Sequence, residues 1–211
     1  MKTLRIVATI LALTALPVEG QLEFSAGMNL SDITGSLGGT DIENLGNRAG
    51  MVFGIDLVIP MGGVGLNLGA GWAQRGVEDF LTNPGTAEEV AVLLDLRYIE
   101  VPVHIRVPVV SSGPVSLNLV LGPTFGFKIG CDVVAAGLSP DQRCAGLAPD
   151  LKKTDIGATA GLGLSFSLGG IIYAGFDVRA TTGMTSISNV SANSLKNRTF
   201  TAQTHIGFGI F

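Results

Sequence analysis

The sequence has few charged residues and, after its first 20 residues, no long apolar run. Only 14% of its 211 residues are charged, whereas soluble domains have roughly 25%. Membrane-spanning helices are excluded after residue 20, because each needs about 20 consecutive apolar residues. The mean hydropathy is nevertheless high, at +0.48. Because a chain in lipid must pair every backbone group internally, a closed β-barrel is the membrane architecture that fits.

Basic residues and histidines are also scarce, and this excludes several kinds of site. The 13 Lys and Arg residues are outnumbered by 17 Asp and Glu residues, so we expect no nucleic-acid-binding surface. His104 and His205 have no cysteine or carboxylate at a metal-ligand spacing, and no serine lies in a Gly-x-Ser-x-Gly setting. We therefore expect no catalytic residue, no cofactor and no metal site. A lipid-modifying or proteolytic outer-membrane enzyme is the minor alternative.

The N-terminal segment has the features of a secretory signal peptide. Lys2 and Arg5 precede an apolar stretch at residues 6–16, and a small residue suited to cleavage of the signal peptide follows this stretch. No cysteine lies at the expected cleavage point, which argues against an acylated lipoprotein. We expect removal of residues 1–20, so that residues 21–211 form a single domain.

Apolar and polar residues alternate along most of the chain. The clearest case is residues 156–168, where the even positions are apolar and the odd positions are Gly, Thr or Ser. This period of two predicts strands with one apolar face and one small, polar face. The predicted strands are residues 21–30, 51–59, 64–75, 94–107, 115–128, 156–168, 171–182 and 199–211.

The connections between these segments alternate between long and short. The second, fourth and sixth segments are followed by short joints, two of which contain Gly-Gly pairs, at 62–63 and 169–170. Outer-membrane barrels have this asymmetry, with short periplasmic turns and long extracellular loops. The sequence therefore predicts an all-β fold, an eight-stranded antiparallel up-and-down transmembrane β-barrel in the cell outer membrane. A soluble β-sandwich is disfavoured, since it has no reason to alternate its loop lengths.

The polar strand faces carry charged residues that would meet inside such a barrel. Side chains can fill an eight-stranded barrel, and buried charges persist when they are paired, so we predict a salt-bridged lumen; a polar conduit or a ligand site is the alternative. A bulge near Tyr98 would bring the charges of residues 94–107 to one face. The predicted lumen network is Asp56, Arg75, Arg97, Glu100, His104, Arg106, Asp177 and Arg179, and Glu23, Gln203 and His205 also point inward.

Aromatic residues lie near both ends of the predicted strands. Barrels gather outward-facing aromatic side chains at the two membrane interfaces, so we predict two girdles. The girdle residues are Phe53, Trp72, Phe125 and Phe200 towards the loops, and Phe24, Phe166 and Phe208 towards the turns.

Two cysteines, Cys131 and Cys144, lie in one predicted long loop. Export to an oxidising compartment favours a disulfide between them; a pair of free thiols is the alternative. Closing a loop of this size could stabilise the fold by up to ~3 kcal/mol in the chain-entropy model.

Several motifs resemble the PorT-like outer-membrane β-barrel family. The most specific is Tyr98-Ile-Glu-Val-Pro102, and the others are residues 24–33, 74–76, 121–126 and 207–211. The resemblance covers essentially the whole of the chain after the signal peptide. It implies an outer-membrane barrel, and the namesake of the family is linked to protein secretion. The terminal Phe211 matches the aromatic residue expected for outer-membrane insertion.

These observations favour a structural or interaction role. We expect an integral outer-membrane protein, not an enzyme, with a lumen filled by side chains and with extracellular loops that meet partners. A narrow porin or a secretion-accessory barrel is the alternative. The expected partners are outer-membrane lipid, the barrel-assembly and export machinery, and extracellular or secretion-system proteins, but not nucleic acid. We expect a monomer.

Overall fold

The described part of the chain consists of β-strands joined by turns and loops. The structure is a computed structural model that describes residues 20–37, 39–42, 46–82, 89–135 and 151–210. None of these residues forms a helix that is long and apolar enough to cross a membrane. The strands are β1 Gly20–Leu37, β2 Thr40–Ile42, β3 Arg48–Met61, β4 Val64–Thr82, β5 Glu89–Ser112, β6 Val115–Ala135, β7 Thr154–Gly169, β8 Ile172–Gly183 and β9 Ser194–Ile210.

Eight of these strands form a closed antiparallel ring. β1 pairs with β3, and the strands from β3 to β9 pair one after another in sequence order. β9 pairs in turn with β1, from Gly20 opposite Ile210 to Ser36 opposite Ser194. The short β2 pairs with the far end of β1. The ring leaves no unpaired edge within the membrane, where such an edge would be costly. The predicted eight-stranded up-and-down barrel is thus confirmed.

Tight hairpins join the strands at one end of the barrel, called here the turn end. Gly62 and Gly63 connect β3 to β4, with φ values of +57° and +99°. Residues 113–114 connect β5 to β6 and residues 170–171 connect β7 to β8, each pair containing a glycine with positive φ. Glycine adopts this conformation at little cost, and the twist of such turns matches that of the strands. The opposite end is called the loop end.

Several strands continue past their predicted limits at the loop end. There β4 extends to Thr82, which lies opposite Glu89 of β5, and β6 extends to Ala135. Residues 77–82, 89–96 and 129–135 form a three-stranded extension called here the loop-end sheet. Beyond the lipid, nothing requires an apolar outer face. The alternation therefore fades in the sequence although the backbone pairing continues.

The barrel is apolar outside and polar inside, the reverse of a soluble protein. In β7, buried Asp155, Thr159 and Gly163 alternate with exposed residues such as Ile156 and Leu162. The same outward exposure of large apolar side chains recurs around the ring, and in water so large an apolar surface would favour aggregation. The exposed set includes Met28, Leu30, Phe53, Ile105, Leu121, Phe127, Leu162, Phe176, Phe200 and Ile206. Lipid is the environment that fits this surface.

Candidate functional site

The lumen towards the turn end is filled by an ion-pair cluster, called here the lower cluster. Arg106 of β5 donates two hydrogen bonds to Glu23 of β1, at 2.5 and 2.6 Å. Arg179 donates to Asp177 at 2.5 Å, and this carboxylate also lies 3.6 Å from Arg106. Tyr173 donates its hydroxyl hydrogen to Glu23 at 2.8 Å. These contacts join β1, β5 and β8 across the lumen, and the two-point arginine–carboxylate geometry is a strong one.

A second ion-pair cluster, the upper cluster, fills the lumen closer to the loop end. Arg75 of β4 lies 2.6 Å from Glu100 Oε1 and 3.2 Å from Asp155 Oδ2. Its guanidinium also lies 5.5 Å from the centre of the Tyr98 ring, a cation–π contact. Asn197 of β9 donates to Asp155 at 2.8 Å and to the Tyr98 hydroxyl at 3.4 Å. The Tyr98-Ile-Glu-Val-Pro102 motif therefore directs two of its side chains to the same arginine.

A row of hydroxyl groups lines the wall between the two clusters. His104 Nε2 lies 3.0 Å from Thr124 Oγ1, which lies 2.8 Å from Thr159 Oγ1. Thr159 Oγ1 in turn lies 2.9 Å from Thr181 Oγ1. Neighbouring strands place these residues side by side, so the row runs around the wall rather than along the barrel axis. It ties β5, β6, β7 and β8 together and satisfies buried hydroxyl groups.

Asp56 faces a small cavity between the two clusters. The cavity has a volume of about 60 Å³ and is also lined by Glu100, His104 and Arg179, which leaves room for a few water molecules. Asp56 is buried, and within the described residues no ion pair reaches it. Gly69 gives this carboxylate its space, because a Cβ there would lie 1.9 Å from Asp56 Oδ1. Water is thus the natural partner for this side chain.

An apolar cluster closes the lumen at the loop end and is called here the apolar cap. It consists of Ile33, Val77, Leu96, Tyr98, Ile187 and Leu195. Ile187 comes from the connection between β8 and β9, which folds inward so that this side chain is 1% exposed. Its backbone is fixed by hydrogen bonds from Lys152 N to Ile187 O and from Ile187 N to Leu195 O, both 2.7 Å long. The cap buries apolar side chains over the upper cluster, which removes them from water.

Most of the predicted lumen residues lie on the inner face of the barrel. Arg106, Asp177 and Arg179 belong to the lower cluster, while Arg75 and Glu100 belong to the upper cluster. Glu23 also belongs to the lower cluster, and the others on this face are His104 in the hydroxyl row, Asp56 at the cavity, Gln203 and His205. His205 lies 3.6 Å from Asp177 and 3.9 Å from Glu23.

Arg97 does not lie in the lumen, because the expected bulge is on the other strand. The pairing of β5 with β6 shifts between Arg97 and Tyr98, but the extra residue is Ile129 of β6. The alternation of β5 is therefore unbroken, and Arg97 lies on the opposite face from the buried Tyr98. There it forms an ion pair with Asp132, with 39% of its side chain exposed.

Several interior residues are absent from the predicted lumen network, although the sequence contains a signal for some of them. Asp155 lies just before predicted segment 156–168, and its odd position is in phase with the polar face of that segment. Asn197 likewise precedes segment 199–211 in phase with Gln203. If the alternation of each segment is extended by two positions towards the N-terminus, it places both Asp155 and Asn197 on the inner face. Tyr98, where the sequence predicts a bulge, is a further interior residue.

The predicted girdle residues lie on the outer face of the barrel. Phe53 stacks on Trp72 with ring centres 5.9 Å apart, on neighbouring strands nearer the loop end. Phe24 packs edge-on against Phe208 at 6.5 Å nearer the turn end. Phe166 and Phe200 are exposed, and Phe125 occupies an outward position between the buried Thr124 and Gly126.

Some predicted features fall outside the described residues. Cys131 of β6 packs against the apolar cap, but Cys144 is not among the described residues, so the disulfide stays a prediction. Residues 1–19 and Phe211 are also outside them, and signal cleavage stays a prediction too. Within the described ranges, no group of three or more His, Cys, Asp or Glu side chains could hold a metal ion.

A closed ring of eight strands with an apolar outer face and a polar, ion-paired interior defines an outer-membrane β-barrel. The model of one protein family, described as outer membrane protein beta-barrel domain, matches residues 19–189. The chain belongs to this family, and its location is the cell outer membrane. No curated protein sequence matches it significantly.

Solved outer-membrane barrels are similar to this chain at low sequence identity. The outer membrane protein OprG from Pseudomonas aeruginosa is 13% identical, with a TM-score of 0.50 over 90% of this chain and 96% of that one. Ail, the attachment invasion locus protein of Yersinia pestis, is 16% identical, with a TM-score of 0.43 over 90% and 99%. The outer membrane protease OmpT from Escherichia coli is 10% identical, with a TM-score of 0.43 over 90% and 96%. Likeness at such identities concerns the fold alone.

Proposed function

We propose that this protein is a closed, non-conducting barrel that acts at its loop end in a structural or interaction role. The observation that carries the proposal is the filling of the lumen at successive levels by the lower cluster, the upper cluster and the apolar cap. The cavity between the two clusters measures about 60 Å³, far less than a water-filled channel requires. A narrow porin is the less favoured alternative.

The loop-end sheet provides the surface for this role. The outward ion pair between Arg97 and Asp132 indicates that β5 and β6 have left the hydrocarbon at this level, because charges on the lipid face are costly near the bilayer midplane. Arg198 of β9 is also outward and pairs with Asp32 at 3.1 Å. Above these pairs the extended strands stand in water at the cell surface, where a protein partner can reach them.

Three narrower features belong to the same proposal. We propose PorT-like membership on the basis of the motif Tyr98 to Pro102, with a secretion-accessory role as the alternative that this membership implies. In the structure, Tyr98 and Glu100 of this motif contact Arg75 inside the lumen. We also propose a cleaved signal peptide and a disulfide between Cys131 and Cys144, as export implies. No catalytic role is proposed, since the interior carboxylates mostly pair with arginines.

Conductance and stability together test the closed-barrel proposal. Purified wild type and Glu100→Gln should both show negligible steady conductance in planar bilayers. The variant should refold with a lower urea midpoint, because Arg75 loses one of its two carboxylate partners. Glu78→Gln is the matched control, since Glu78 is exposed on the same strand as Arg75, and its midpoint should not move. A stable channel whose selectivity changes in Glu100→Gln would reject the proposal.

Site-specific cross-linking in intact cells tests the interaction role. A photoreactive residue in place of Glu78, which is exposed in the loop-end sheet, should give a discrete protein adduct. The same residue in place of Val178, on the lipid-facing side of β8 between the buried Asp177 and Arg179, should give none. Absence of adducts from every position tried in the loop-end sheet would remove the interaction role and leave a structural one.

A further inference from the structure

The lumen opens into a cup below the lower cluster, called here the turn-end cup. The cavity has a volume of about 780 Å³, which falls within the range of roughly 300–1,000 Å³ found for small-molecule sites. Arg106 and Tyr173 lie at its inner end, where they contact Glu23. Because the lower cluster blocks the lumen there, a ligand would enter and leave by the same mouth. The cup is therefore suited to binding rather than to passage.

The cup is hollow because its wall residues are small. Gly65, Gly209, Ser165 and Ser167 all line it, whereas the arginines and tyrosines of the two clusters fill the lumen at deeper levels. Small residues at the cup and large residues at deeper levels follow one another along the same strands. The space in the cup therefore comes from the size of the side chains and not from a larger barrel diameter. This part of the barrel therefore has room for a molecule that is not part of the chain.

Tyr173 presents a fixed aromatic ring at the inner end of the cup. Its hydroxyl group is held by Glu23 at 2.8 Å, and its ring packs edge-on against His205 at 6.2 Å. The ring also lies directly against Gly207, where a Cβ would come within 2.0 Å of Tyr173 Cζ. A glycine at this position is what lets the ring lie there. Such an immobilised ring can cover the apolar face of a ligand without further loss of side-chain entropy.

The charge of the cup favours a neutral ligand. Arg106 is the charged residue among the described residues that line it, and it is already paired at two points with Glu23. The α-amino group that signal cleavage would leave on Gln21 lies at the mouth of the cup, where this residue is exposed to water. At the inner end of the cup a charged ligand would lose its hydration without finding a free counter-charge, which is costly. An uncharged ligand has no such penalty.

The wall of the cup offers hydrogen-bonding groups that can both donate and accept. Ser116 Oγ lies 3.4 Å from Ser111 Oγ and donates to Asn118 Oδ1 at 3.3 Å. Gln21 and Ser165 also line the cup. Hydroxyl and amide groups of this kind match the hydroxyl groups of a sugar, which donate and accept in the same way.

We propose that the turn-end cup binds a small neutral carbohydrate, a mono- or disaccharide. The ring of Tyr173 and the nearby prolines, Pro60 and Pro108, would cover its apolar C–H faces while the serine and amide groups bind its hydroxyls. The turn end of outer-membrane barrels faces the periplasm, so the ligand comes from that side. This activity is independent of the loop-end role proposed above.

Saturation-transfer NMR on the refolded full barrel, in a detergent without a sugar headgroup, tests the proposal. The maltose resonances should show saturation transfer from the protein that increases with maltose concentration. Glucosamine, glucuronate and a neutral tripeptide should bind at least tenfold more weakly. Ser116→Phe fills the cup and should weaken maltose binding at least tenfold. Leu117→Phe is the matched control, because Leu117 is the next residue of β6 and faces lipid, and its binding should equal that of wild type.

Several outcomes would overturn the proposal. Equal maltose signals from Ser116→Phe and Leu117→Phe would place the binding outside the cup. A preference for the tripeptide or for a charged sugar would give the cup a different ligand class, and no binding by any neutral sugar tested would reject the site. If Ser116→Phe loses its heat-modifiable gel mobility, Ser167→Phe replaces it, since Ser167 is exposed at the mouth of the cup.

Discussion

Replacing Arg106 with methionine is expected to lower the free energy of unfolding by about 3 to 5 kcal/mol. Arg106 holds Glu23 at two points and lies 3.6 Å from Asp177. Methionine fills similar space but leaves Glu23 with an uncompensated charge in a part of the lumen where both side chains are buried. The loss therefore reflects a stranded carboxylate rather than lost packing. A urea titration of refolding into lipid vesicles measures the change.

Arg97→Met is the control for this experiment. The sequence placed both arginines in the lumen, whereas the structure has Arg97 on the outer face with Asp132, where both side chains are more than a third exposed. Exposed ion pairs contribute at most about 1 kcal/mol. Equal losses in Arg106→Met and Arg97→Met would contradict the assignment of the two faces of β5.

The strand pattern could be predicted from the sequence because the membrane imposes it. Lipid requires an apolar side chain at every second position, so residues 156–168 and 64–75 alternate clearly and their turn ends were located closely. The glycine pairs marked the hairpins because few other residues tolerate positive φ. The loop ends of the strands were missed, as in β4, which continues to Thr82, because outside the lipid the same backbone pairing no longer needs alternation.

The partners inside the lumen could not be predicted, because they depend on register. Periodicity assigns a residue to a face, but not to a neighbour across the barrel. Arg75 lies against Asp155, which is 80 positions away in sequence, and Ile187 reaches the apolar cap from a connection that has no strand pattern. The position of the bulge at Ile129 could not be predicted from the sequence either. A charge pattern on β5 cannot reveal whether the extra residue belongs to β5 or to β6.

Leu162→Arg is expected to destabilise the barrel by about 2 to 4 kcal/mol, the cost of a cation near the bilayer midplane. Leu162 lies near the middle of β7, faces outward and is 47% exposed. An arginine there must lose its hydration or distort the surrounding lipid. Refolding into vesicles in a urea gradient measures the difference from wild type, and heat-modifiable gel mobility shows whether the variant still forms the closed ring.

Two control variants on the same strand separate depth from orientation. Thr154→Arg is outward at the loop end of β7 and should cost about 0 to 1 kcal/mol, as charges do near the interface. Ser165→Asn is on the inner face and should be tolerated better than Leu162→Arg. If Leu162→Arg and Thr154→Arg cost the same, Leu162 does not lie near the midplane. If Leu162→Arg and Ser165→Asn behave alike, the outer face of β7 does not meet lipid. A barrel with a polar interior and an outer face in water would then have no apolar medium to hold it closed.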